Sequence, residues 1–142
     1  MLQVRHLLAD KGSQVHTVGP DEPVLAAIRI MADRYIGALL VMRGDELVGI
    51  VSERDYARKV ILKGRSSGDT PVRDIMAAPV ITVGPTDTVE TCMRLCTDSR
   101  VRHLPVVEGG KVVGVVSIGD LVKATISEQG TQIEQLQRYI AG

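Results

Sequence analysis

Two kinds of hydrophobic spacing alternate along this chain, and their order occurs twice. Val24, Ala27, Ile28 and Met31 fall on one face of a helix, as do Val89, Cys92, Met93 and Cys96. Each helix follows a short β-rich stretch stopped by Gly-Pro: His16-Thr17-Val18 before Gly19-Pro20, and Ile81-Thr82-Val83 before Gly84-Pro85. After each helix comes an apolar run, Ala38–Met42 or Leu104–Val107, of a length that suits a buried strand. The polar tetrads Arg43-Gly44-Asp45-Glu46 and Glu108-Gly109-Gly110-Lys111 predict turns. Leu47–Val51 and Val112–Val116 then return as the second strands of two hairpins. A second helix is expected to begin near Asp55 and near Asp120. Asp21 is placed to cap the first unit's helix, with Pro23 in its first turn. Tyr35 is expected to pack on the hairpin.

The recurrence keeps one register. A slide of 65 residues lays Val15–Pro20 on Val80–Pro85 and Gly49–Asp55 on Gly114–Asp120 with no gap between them. Residues 15–61 against 80–126 give 17 identities in 47 pairs, more than chance sustains in one register. The lead-ins also agree, Val4-Arg5-His6-Leu7-Leu8 with Val72-Arg73-Asp74-Ile75-Met76, at a slightly different offset. A single β-α-β-β-α unit is too small to bury both faces of its sheet. The expected architecture is therefore α/β (α+β), two tandem units packed about a pseudo-twofold axis. Residues 1–71 hold the first copy with its lead-in and the polar linker Lys63–Pro71, and 72–127 hold the second. Residues 128–142 form a tail, whose Ile133, Leu136, Tyr139 and Ile140 make one helical stripe. That stripe can pack back on the domain or against a second subunit.

Composition narrows the function. The 142 residues carry 17 Lys plus Arg and 17 Asp plus Glu, so a zero balance argues against a protein that grips nucleic-acid phosphates. With no Trp, no Phe and three Tyr, a base-stacking platform is nearly excluded. Cys92 and Cys96 are expected to be small buried apolar side chains, because nothing nearby completes a zinc set. No apolar run approaches the ~20 residues of a membrane span, and Met1–Asp10 lacks the long apolar stretch of a secretory signal. A cytoplasmic chain that meets neither membrane nor nucleic acid is expected.

The candidate chemistry lies at the end of each repeat. Ser52-x-x-Asp55 and Ser117-x-x-Asp120 stand at strand-to-helix junctions, where Ser-x-x-Asp caps a helix. The same junction can bind. A helix start offers N–H groups to a phosphate, and an ionised Asp can accept from both hydroxyls of a ribose. Gly49 and Gly114 leave room beside the strand for a ligand or another backbone. The repeats differ in cations. Arg102-His103 replaces Gly37-Ala38, and Arg54 is matched by Gly119. Arg102 and His103 can donate to phosphate or stand as a solvated pair at a strand edge. His6 and His16 read as surface residues. No Gly-x-x-x-x-Gly-Lys-Ser/Thr loop, no Gly-x-Gly-x-x-Gly after a strand and no metal-ligand cluster occurs, so neither catalysis nor a metal is expected.

The tandem unit, each copy closed by Gly-apolar-apolar-Ser-x-x-Asp, with Arg102-His103-Leu104-Pro105-Val106-Val107, resembles the CBS-domain pair, or Bateman module. The resemblance covers about Val4 to Ser127. It implies a non-catalytic regulatory sensor that binds adenosine nucleotides (AMP, ADP, ATP or NAD(H)) in clefts between the repeats. It further implies a homodimer that acts on an unidentified regulated protein. Asp55 and Asp120 would each hold a ribose beside Ser52 and Ser117, with Arg54, Arg102 and His103 near phosphate and Ala38 matching His103. Thr17 and Thr82 would meet the ribose or adenine rim, or serve only as β-branched strand residues. The alternative is a protein–protein interaction module with vestigial clefts.

Overall fold

The two apolar runs of each repeat pair as hairpins, and the helical stripes cover them. In the computed structural model, residues 2–141 are described, without the side chains at 130–134, 139 and 141. In chain order come α1 (Val4–Lys11), β1 (Thr17–Val18), α2 (Val24–Arg34), β2 (Ala38–Arg43), β3 (Glu46–Ser52) and α3 (Glu53–Tyr56). A π-helical turn, Ala57–Ile61, continues α3, and a 3-10 turn spans Val72–Asp74. Then come α4 (Val89–Ser99), β4 (His103–Glu108), β5 (Lys111–Ser117) and α5 (Ile118–Ala141). The chain forms two units, Val15–Ile81 and Met1–Gln14 with Thr82–Gly142.

In the unit Val15–Ile81, β1 runs parallel to β2, and β2 antiparallel to β3. Gly44 turns the hairpin at φ +61°, a conformation open to glycine at little cost. Val18, Val24, Ala27, Met31, Leu39, Val41, Val51 and Val60 bury against one another, joined by Val72 and Ile75. Each of these Val, Leu, Ile and Met side chains contributes about 1.5–3 kcal/mol by leaving water. Asp21 does not cap α2. Pro23 takes that position, and the first helical N–H groups donate to the linker instead, Val24 N to Thr70 O (2.8 Å) and Leu25 N to Ser67 O (3.0 Å). Asp21 pairs with Arg73. The linker thus carries a structural load, and Thr70 within it is buried and bonded to Ser66 O. Tyr35 does not pack on the hairpin. It ends α2 in the left-handed conformation at φ +54°, 95% exposed.

The other unit repeats the plan. The turn of β4–β5 uses Gly109 and Gly110, both at positive φ. Thr82-Val83 does not extend into a named strand; Val83 alone bridges Val106 in parallel. Buried Val83, Val89, Cys92, Cys96, Leu104, Val106 and Val116 take the places of Val18, Val24, Ala27, Met31, Leu39, Val41 and Val51, 65 residues on. The two cysteines therefore sit in the core as expected. Burial first, then the charge of Asp87 and the neighbouring Cys96, pushes the Cys92 thiol up to about 11. Arg100 ends α4 at φ +55°, the counterpart of Tyr35. Residues 118–141 form one helix of 24 residues, so the second repeat's closing helix and the tail are a single element.

Spatial units and sequence repeats divide the chain differently, because each lead-in packs on the repeat it does not precede. Val4 N and Arg5 N donate to Asp87 O and Pro85 O, both at 2.9 Å. Val72 N and Arg73 N donate likewise to Glu22 O (2.8 Å) and Pro20 O (2.9 Å). A repeat that supplies only one layer over its sheet is completed by the other lead-in.

Candidate functional site

Each repeat builds the same junction. Ser52 and Ser117 end their strands in extended backbone, which lets each turn its hydroxyl onto the helix that follows. Asp55 N donates to Ser52 Oγ (3.2 Å), and Ser52 N returns a bond to Asp55 Oδ2 (2.9 Å). Asp120 N donates to Ser117 Oγ (3.1 Å), and Ser117 N to Asp120 Oδ2 (2.8 Å). These are reciprocal capping boxes, each satisfying two backbone donors. The capping expectation therefore holds at both sites.

Each carboxylate also carries a lysine. Lys59 Nζ lies 3.2 Å from Asp55 Oδ1 and donates to Ile75 O at 2.9 Å. Lys11 Nζ lies 2.6 Å from Asp120 Oδ2 and donates to Val115 O at 2.9 Å. The first lysine comes from the same helical segment, the second from α1, 109 residues away in sequence. Burial alone would raise the Asp120 carboxyl. The hydrogen bonds from Lys11 and Ser117, with the lysine charge, hold it below the ordinary carboxylate value. The sequence reading missed both lysines. Lys59 was legible as an i+4 partner of Asp55, whereas Lys11 had no local signal.

The strand register fixes the other candidates. Ala38 pairs with Ser52 and His103 with Ser117, so these residues hold equivalent places beside the two boxes. Glu53 N donates to Gly37 O (3.1 Å) and Ile118 N to Arg102 O (2.8 Å), which ties the cation-bearing segment to the start of α5. Arg54 is exposed one residue before Asp55. Thr17 and Thr82 are exposed, and Thr17 pairs with Leu40, two residues along β2 from Ala38. His6 is exposed and His16 half-buried. Gly49 and Gly114 are filled from within the chain. A Cβ on Gly49 would lie 2.5 Å from Met76 Sδ, and one on Gly114 2.6 Å from Leu8 Cδ2. The space beside each strand thus receives a lead-in side chain.

Two grooves flank α5. One, of about 590 Å³, is lined by Arg102, Gly119, Val122 and Lys123 among others. The second, of about 660 Å³, lies between α1 and α5 and is lined by Lys11, Asp120, His6 and Lys123 among others. Arg102 and Asp120 thus open on different grooves, with Lys123 and Ser127 shared by both. Among the described residues no three His, Cys, Asp or Glu side chains gather as a metal would require, and no helix is long and apolar enough to cross a membrane. Leu136 and Ile140 of the tail stripe are exposed. The side chains of Ile133 and Tyr139, assigned to the same stripe, lie outside the described residues.

Known proteins share this plan. The family model described as CBS domain matches residues 5–62 and 72–127. The CBS domain-containing protein CBSX3, mitochondrial, of Arabidopsis thaliana is 43% identical over 127 residues, 86% of this chain. The chain spans 62% of that protein's length. The structure of a protein with CBS domains from Burkholderia ambifaria MC40-6 superposes with a TM-score of 0.86 at 50% identity, covering 89% of this chain and 96% of that one. The CBS domain pair of protein MJ0100, in complex with 5-methylthioadenosine and S-adenosyl-L-methionine, superposes at 0.80 and covers 90% of this chain and 98% of that one. At 22% identity its likeness is one of fold.

Proposed function

The chain belongs to the CBS-domain family as a tandem pair, and from that premise we propose that it is a non-catalytic regulatory sensor of adenosine nucleotides. CBS pairs are regulatory modules that commonly bind adenosine-containing ligands. The observation that carries the proposal is the duplicated junction. Ser52 with Asp55, and Ser117 with Asp120, present a hydroxyl and a half-buried carboxylate at equivalent places. An ionised carboxylate accepts both hydroxyls of a ribose, and the hydroxyl beside it can meet a sugar or phosphate oxygen. Arg54 in one unit, and Arg102 and His103 in the other, supply cations or donors to phosphate, and Thr17, Ala38 and Thr82 border the ligands of their own units. The ligands are AMP, ADP, ATP or NAD(H), with no metal. The protein works as a homodimer that passes the bound state to a regulated protein.

A second reading, an interaction module with vestigial sites, is favoured by one observation: both carboxylates are already matched by lysines. Calorimetry with AMP, ADP, ATP, NAD, NADH and S-adenosylmethionine separates the two. A hydrogen bond to a charged group contributes about 1.5–3 kcal/mol, or roughly ten- to a hundredfold in affinity. Asp55→Ala should weaken one site by that factor and Asp120→Ala the other. If the wild type binds none of the six, the interaction module is the better account. Nucleotide binding that survives in both variants removes the two boxes from the site.

A further inference from the structure

We infer that Lys11 of α1 is a further phosphate-facing cation, and the one that makes the Asp120 groove prefer a phosphorylated nucleoside to the bare nucleoside. The inference rests on the proposed nucleotide function and adds the residue that sets its ligand preference.

Three observations lead to it. First, Lys11 Nζ is already at the carboxylate, 2.6 Å from Asp120 Oδ2, and its second bond goes to Val115 O at 2.9 Å. An ammonium has three donors, so these two bonds leave one for an incoming anion without breaking either. Second, both partners are reachable, the side chains being 37% and 27% exposed. Third, Lys11 and Asp120 line the same groove of about 660 Å³, whereas Arg102 lines the groove on the neighbouring face of α5.

The chemistry of the ligand follows from the pair. A cis-diol donates to the carboxylate, and an acidic group on the same small molecule accepts from the ammonium beside it. A nucleoside monophosphate has both. The other charged groups of the groove are one cation, Lys123, and two carboxylates, Asp10 and Glu128, so they bring no positive excess of their own. Discrimination therefore falls to Lys11, the cation in contact with the diol-binding carboxylate.

The test is calorimetry of adenosine and AMP on the full chain carrying Asp55→Asn, so that the Asp120 groove is read by itself. Lys11→Gln should cut the preference for AMP over adenosine by about ten- to a hundredfold. Lys11→Arg, which keeps the charge, should preserve it to within a few-fold. The salt dependence of AMP binding should flatten in Lys11→Gln alone. Equal weakening of adenosine and AMP in Lys11→Gln would mean that the lysine only anchors α1, and would overturn the inference. So would a preference that survives Lys11→Gln but collapses in Arg102→Ala. If the parent chain binds neither compound, the nucleotide function fails and this inference with it. Binding of AMP with an unchanged preference overturns the lysine alone.

Discussion

Leu8 occupies the place where a side chain on Gly114 would begin: a Cβ there would stand 2.6 Å from Leu8 Cδ2. Met76 bears the same relation to Gly49, at 2.5 Å from its Sδ. The glycine of each Gly-apolar-apolar-Ser-x-x-Asp motif is therefore required by a lead-in. Each lead-in comes from outside the copy whose strand it touches, and the contact helps to hold the strand that delivers Ser117 or Ser52.

The two glycines should differ in tolerance. Beside Gly49 stands a backbone atom, Ala77 O at 3.1 Å, held by the bridge between Ala77 and Ile50. Beside Gly114 the three nearest atoms all belong to the side chain of Leu8, and a side-chain end can move. Gly49→Ala should cost about 1–3 kcal/mol in urea denaturation, the usual range for overpacking, and Gly114→Ala less. Leu8→Ala placed in the Gly114→Ala background should recover part of the loss. A Gly114→Ala cost that is independent of residue 8 would show that the contact is not the reason for the glycine.

Much of this was legible in the sequence, and the exceptions have physical causes. The 65-residue register gave both hairpins, both core helices and both Ser-x-x-Asp boxes, because periodicity and turn chemistry are local. The similarity of the two lead-ins was visible too, but not which repeat each one completes. That choice is a long-range contact with no local signature. Asp21 looked like a cap because residue type favours it, yet the linker carbonyls of Ser67 and Thr70 reach the helix start first. Lys11 escaped for the same reason as the lead-in that carries it. Val122 and Ile126 belong to a stripe that continues past Ser127, which dividing the chain at 127 concealed.

Tyr35 and Arg100 are the two non-glycine residues at positive φ among the described residues, each ending the helix of its repeat. A side chain in the left-handed region costs about 1–2 kcal/mol, which glycine avoids. Tyr35 is 95% exposed, so removing its ring sacrifices almost no packing. Tyr35→Gly should stabilise the chain by up to about 1 kcal/mol after the added freedom of the unfolded state is subtracted. Thermal unfolding checks it, and a lowered midpoint would mean that the ring supports structure from the surface.

With its thiol pushed up to about 11, Cys92 holds roughly one thiolate in a thousand molecules at pH 8. Burial raises the Cys96 thiol as well. Both should resist a disulfide reagent in the native protein at that pH and react together on unfolding. Rapid modification of the folded chain would contradict the buried placement.

The lowered Asp120 carboxyl makes a signed prediction about acid. A carboxyl whose folded value lies below its unfolded 3.8 contributes stability above that value and loses it as pH falls through the folded one. Asp120→Asn should therefore be less stable than wild type at pH 7, with the two converging in strong acid. Urea midpoints between pH 7 and about pH 2 measure this. Lys11→Gln should flatten the same acid limb, since its hydrogen bond is the largest influence that lowers the carboxyl. Parallel curves for wild type and Asp120→Asn would refute the contact.

The last expectation concerns α5. Val122, Ile126, Leu136 and Ile140 are 41%, 64%, 61% and 81% exposed. At 100° per residue the four fall within about 80° of arc and extend over about 27 Å of helix. A stripe of that extent is rarely left to water by a soluble monomer. A second copy presenting the same stripe covers it with no partner of another kind, and helices that meet along such a seam pack side by side. Light scattering across micromolar concentrations should give a dimer mass. Leu136→Glu with Ile140→Glu places two charges in the seam and should shift the mass to a monomer, while far-ultraviolet circular dichroism stays helical. These positions lie beyond both Ser-x-x-Asp boxes, so adenosine affinity should change little in the same variant. A wild type that is monomeric at every concentration would remove the homodimer, and a dimer indifferent to both glutamates would move its interface away from α5.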